Sequence, residues 1–104
     1  MPISQMHKDW QDSLAPQLPK LAEILALVET KADTVPKAEN ILRVFEISPK
    51  DYRVLILGQD PYPTPGHAVG LAFAVPEGAR PLPPTLTNIF KELRSDLGDD
   101  MVLS

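Results

Sequence analysis

Residues 54–66, VLILGQDPYPTPG, set an unbroken apolar run against a loop holding three prolines, two glycines, one acid and one aromatic. Val54, Leu55, Ile56 and Leu57 lie between a charged flank and Gly58, a pattern that predicts a strand covered on both faces, as in a parallel sheet. Gly70 to Val75, GLAFAV, reads as a second, shorter extended segment ended by Pro76. Working outward, Ser4 is placed to cap a short helix with Met6, Trp10 and Leu14 at fourfold spacing, interrupted by Pro16. From about Pro19, Leu21, Ile24, Leu25 and Val28 share one helical face, and a polar connection follows. ENILRVFEISP, ending at Pro49, reads as a short helix or turn. Thr85 is placed to cap a helix striped by Leu86, Ile89, Phe90, Leu93 and Leu97, with Gly98 as its stop. The order helix, helix, strand, irregular loop, strand, helix predicts an α/β layer architecture.

Composition bounds what such a chain can do. Its 104 residues suffice for one compact domain or part of one, and 43% hydrophobic with 23% charged residues is ordinary for a globular protein. Twelve prolines are about twice the usual share, and their concentration between Pro61 and Pro84 marks a stiffened loop system. With no cysteine and two histidines sixty positions apart, neither a disulfide framework nor a Cys or His metal site is expected. The start, MPISQMHKDW, lacks the pattern of a signal peptide, and no run reaches membrane-spanning length, so a cytoplasmic protein is expected. A net charge of −4 argues against a nucleic-acid protein that relies on a broad basic face.

The loop itself is the candidate site. In open α/β sheets ligands bind beyond the carboxyl ends of strands, which is where GQDPYPTPG begins. Gly58 permits close backbone approach, while Pro61, Pro63 and Pro65 fix φ and lower the entropy of holding Asp60 and Tyr62 in place. A carboxylate so held can orient a water, take a proton or stabilise a developing cation, and a rigid aromatic can act as a wall. The same Asp before Pro also suits a plain turn or cap, and Phe73 a core position. GHAVG gives only a weak phosphate-loop signal, since it lacks the Walker pattern and a nearby Lys or Arg.

Gly58 to Val75, GQDPYPTPGHAVGLAFAV, resembles the first signature segment of the family-1 uracil-DNA glycosylases, commonly G-Q-D-P-Y-H-G-P-G-Q-A-H-G-L-x-F-S-V. The match is ungapped and includes Gly58, Gln59, Asp60, Pro61, Tyr62, Pro65, Gly66, Ala68, Gly70, Leu71, Phe73 and Val75. PLPPTLTNIFKEL is similar to the family's proline-rich loop and following helix, and NILRVFE to the stretch before the strand. The resemblance implies hydrolysis of the N-glycosidic bond of uracil in DNA, a step of base excision repair, on a nucleotide flipped out of the stack. It implies a three-layer fold with a central, mostly parallel sheet flanked by helices. No cofactor and no metal are implied. The implied partner is uracil-containing DNA, bound by a monomer in the full-length form and away from any membrane.

Residue roles carry over by position. Asp60 is implied as the carboxylate that positions water and favours the cationic sugar. Gln59 is implied to offer its backbone N–H to uracil, Tyr62 to crowd the C5 position where thymine has a methyl group, and Phe73 to stack on the base. Pro81, Pro83, Pro84 and Thr85 are implied to press on the DNA backbone. Pro63, Thr64, His67 and Val69 replace the family's His, Gly, Gln and His. The family's later Asn, which reads the uracil edge, and its H-P-S-P-L-S-like loop do not occur in this sequence. Residues 1–104 are therefore expected to be the N-terminal portion of one domain whose C-terminal half is absent. Such a chain should be inactive by itself and marginally stable, its central strand lacking neighbours. Two alternatives from other classes are a non-catalytic module that keeps half the pocket and binds uracil, nucleotides or protein, and a structural α/β fragment with no ligand.

Overall fold

A computed structural model describes residues 2–99. Among these residues three α-helices form: α1 (Lys8–Ser13), α2 (Leu18–Glu29) and α3 (Pro84–Leu97), with 3₁₀ turns at Ile3–Gln5, Ala15–Gln17, Ala38–Asn40, Arg43–Glu46 and Pro49–Asp51. His7, rather than Ser4, caps α1, its Nδ1 accepting the Asp9 N–H at 3.1 Å. Pro16 falls in the 3₁₀ turn that separates α1 from α2. At α3 the cap position is Pro83, with no side-chain cap, and Pro84 opens the helix where a missing N–H is harmless. Thr85 is thus inside the first turn and not the cap. Gly98 ends α3 as its spacing indicated, with φ +96° and its N–H donating to the Arg94 carbonyl at 2.8 Å.

The expected α/β layers and three-layer sheet fold are not what the chain adopts. No strand occurs among the described residues, and residues 54–57 make no backbone hydrogen bond to any of them. Val54, Leu55, Ile56 and Leu57 are 75%, 86%, 60% and 90% exposed. The reason is that a strand exists only through pairing, and no described segment lies alongside to pair with this run. Gly70–Val75, the second expected extended segment, is instead built on a tight turn in which the Ala74 N–H donates to the Leu71 carbonyl at 3.1 Å.

The core lies in the N-terminal half. Met6, Leu25 and Leu42 are buried together, with Ile3, Trp10, Leu14, Leu21, Ile41 and Phe45 packed around them. The Trp10 ring meets Phe45 edge-on, centroids 5.0 Å apart, and its Nε1–H donates to the Ile47 carbonyl at 2.8 Å. That pairing gives the indole both its apolar contact and its polar partner. Leu86, in the first turn of α3, is buried outside this cluster.

A polar clamp joins the start of α1 to the turn at Pro49. The buried Ser48 donates its Oγ–H to Asp9 Oδ2 at 2.8 Å, and its Oγ accepts the Lys50 N–H at 3.2 Å. Lys50 Nζ and His7 Nδ1 each stand 3.8 Å from the same carboxylate oxygen. The Ser48 hydrogen bond holds Asp9 below its ordinary value of 3.8, with partial burial opposing and the Lys50 and His7 charges assisting. A folded-state pKa below the unfolded one means the clamp contributes fully above that ordinary value and is lost as pH falls through the folded value. Thermal midpoints should therefore drop on acidification below about pH 4. Ser48→Ala should flatten that part of the profile, and equal acid slopes in the two proteins would refute the assignment.

Candidate active site

Residues 58–75 double back on themselves to form the wall of an open cavity of about 630 Å³. Gln59, Asp60, Tyr62, Phe73 and Thr85 all reach its lining, with Pro36 and Ile41 opposite in sequence from the N-terminal half. The volume is in the range of small-ligand sites, about 300–1,000 Å³. Pro81, Pro83 and Pro84 are not on the lining: Pro81 is exposed, Pro83 buried and Pro84 committed to α3. Of the four residues expected to face DNA backbone, only Thr85 joins the cavity.

Local geometry follows from the sequence. Asp60 is solvent-exposed, accepts a hydrogen bond from Gln59 Nε2 at 3.2 Å, and has no ion-pair partner among the described residues. Its charge is therefore free to act on whatever occupies the cavity. The His67 N–H donates to the Thr64 carbonyl at 3.1 Å across a turn whose Gly66 has φ +82°. The half-buried Tyr62 meets His67 edge-on, centroids 6.3 Å apart, and burial pushes its hydroxyl pKa up. That hydroxyl donates to the Phe73 carbonyl oxygen at 3.0 Å. Phe73 occupies the third position of the Leu71–Ala74 turn with φ +64°, a conformation that costs a side-chain-bearing residue about 1–2 kcal/mol.

Gly58 does not have the role that its place before the loop indicated. A side-chain carbon there would meet only Ala72 Cβ, at an ordinary 3.8 Å. The glycine that permits close approach is Gly70, φ +89°, where an added Cβ would fall on the Asn40 carbonyl oxygen, 3.1 Å from its carbon and 3.3 Å from Arg43 Cβ. Arg43 Nη1 adds a hydrogen bond to the Val69 carbonyl at 3.2 Å. Together they seat the loop on the turns between Ala38 and Glu46. Nothing local to the loop signalled this role of Gly70 or the reach of Arg43, 26 positions before Val69. No cluster of three His, Cys, Asp or Glu side chains suited to a metal ion occurs among the described residues.

Comparison with known proteins gives this wall its context. The chain is 49% identical over 102 residues to the uracil-DNA glycosylase of Mycolicibacterium vanbaalenii and 50% identical over 102 residues to that of Mycolicibacterium gilvum, covering 93% of this chain in each case. Its identity to uracil-DNA glycosylase 1 of Streptomyces coelicolor is 49% over 92 residues, 85% of this chain. The chain matches the N-terminal part of uracil-DNA glycosylases. It spans 45% of the length of the two Mycolicibacterium relatives and 41% of the Streptomyces one. No protein-family model matches it. The stretch GQDPY, on which the resemblance noted above rests, brings Asp60 and Tyr62 to the cavity wall, while Phe73 joins them through the following turn. Among the described residues no helix is long and apolar enough to cross a membrane.

Proposed function

We propose that these 104 residues are the N-terminal portion of a single uracil-DNA glycosylase domain and carry its hydrolytic carboxylate. The observation that carries the reading is that Asp60, Tyr62 and Phe73, far apart in chemical type, line one cavity within a glycosylase-like segment. Departure of uracil leaves positive charge on the sugar and negative charge on the base. The Asp60 carboxylate, accessible and without an ion-pair partner among the described residues, stabilises the first and orients the attacking water. The Gln59 backbone N–H meets the base. Tyr62 fills the space that the thymine methyl group would need, and Phe73 offers an aromatic face to the uracil ring.

The nucleotide reaches such a wall only after leaving the duplex stack, so base flipping is part of the same reading. Of the proline-rich stretch at the start of α3, Thr85 reaches the cavity and is the residue best placed to meet the DNA backbone in this reading. Helix-start amides and a hydroxyl can meet phosphate without a positively charged chain, which reconciles the net charge of −4 with a DNA substrate. The working form is a monomer in the cytoplasm, acting on DNA without a cofactor.

The test is a hybrid protein in which these 104 residues replace the matching residues of the Mycolicibacterium vanbaalenii relative. Uracil release from a labelled single-stranded oligonucleotide is the readout, with a thymine oligonucleotide alongside. The hybrid should release uracil and no thymine, and the 104 residues alone should release neither. A folded hybrid that releases no uracil, while the relative itself does, would sink the reading.

A further inference from the structure

The Tyr62 hydroxyl does something that a steric wall does not require. It reaches across eleven positions to the carbonyl of Phe73, the one non-glycine residue with positive φ among the described residues. The Leu71–Ala74 turn alone leaves that φ unfavourable, because the Phe73 Cβ crowds its own backbone. A side-chain hydrogen bond to the carbonyl of the strained residue favours the strained form over a relaxed one in which that oxygen points elsewhere. Tyr62 is itself braced: its ring is half-buried and set against His67.

We infer that Tyr62 is a positioning residue as well as a wall, its hydroxyl latching the Phe73 carbonyl so that the Phe73 ring stays on the cavity face. The inference rests on the proposed function for what the ring is held against, and on the hydrogen bond and backbone geometry for the latch itself. One consequence is that base selection and base stacking are coupled through one side chain. The ring of Tyr62 sets which base fits; its oxygen sets how firmly the accepted base is stacked.

Tyr62→Phe separates the two, since it keeps the ring and removes only the latch. In the 104-residue chain, the backbone carbon shifts of Phe73 by NMR report its φ and should move toward values for negative φ. In the hybrid protein, the same change should raise KM for the uracil oligonucleotide by on the order of tenfold, the size of one net hydrogen bond. The value of kcat should hold, because stacking is made alike in ground and transition states, and thymine should stay excluded. Unmoved Phe73 shifts overturn the latch. Shifts that move while KM stays put overturn its positioning role. If the hybrid with Tyr62 intact releases no uracil, the functional reading fails while the NMR comparison still decides the latch.

Discussion

Gly70→Ala should release the loop 66–75 from its seat and speed chymotrypsin cleavage after Leu71 and Phe73 by roughly a hundredfold. Two costs combine. Alanine at φ +89° is disfavoured by about 1–2 kcal/mol, and forcing its Cβ against the Asn40 carbonyl adds about 1–3 kcal/mol of overpacking. At about 1.4 kcal/mol per decade, the sum of roughly 3 kcal/mol gives the hundredfold. Gly66→Ala supplies the control, because Gly66 has nearly the same φ, +82°, with nothing within 4 Å of an added Cβ. It should show the conformational part only, about a tenfold effect. Cleavage that is equally fast in the two variants would mean that contact with Asn40 does not hold the loop.

Asp60→Asn in the hybrid protein should lower kcat by about 10² to 10⁴ while leaving affinity for a uracil oligonucleotide almost unchanged. The substitution keeps size and shape and removes the charge, so it isolates what the carboxylate does for a cationic sugar and a water that must lose a proton. That range corresponds to about 2.7–5.4 kcal/mol of transition-state stabilisation. The expectation draws on a particular feature of the site: no Lys or Arg is ion-paired with Asp60 among the described residues, so its field is not spent on a protein cation. Single-turnover rates and equilibrium binding, measured on the same oligonucleotide, distinguish the outcomes. A loss of binding with kcat intact would make Asp60 a substrate-holding group and not the hydrolytic one.

The helices and the site were legible in the sequence to different depths. The α2 face and the stop of α3 at Gly98 follow from local periodicity and chain chemistry, which act over a few residues. The site was legible as an ordered set of residue types, and Asp60, Tyr62 and Phe73 do converge. Val54–Leu57 misled because an apolar run states only what would be gained by burial, whereas a strand also needs a neighbour that the run cannot specify. Thr85 looked like a cap because threonine caps helices in general, but two prolines before it moved the helix start two residues earlier. Arg43 and the role of Gly70 were invisible for a related reason. Each is defined by a contact between segments about thirty positions apart, and no local pattern encodes such a meeting.

The single tryptophan sits against Phe45 in the N-terminal core, whereas Tyr62 stands on the cavity wall. The two chromophores therefore report on different regions. Trp10 emission follows the integrity of the helical half and stays silent when loop 66–75 detaches; the tyrosine near-ultraviolet signal, read with Tyr52 replaced by phenylalanine, follows the loop and changes first. Monitored by both, a denaturation experiment need not give one coincident curve, and the gap between the curves measures how loosely the cavity-wall segment is coupled to the body that carries it.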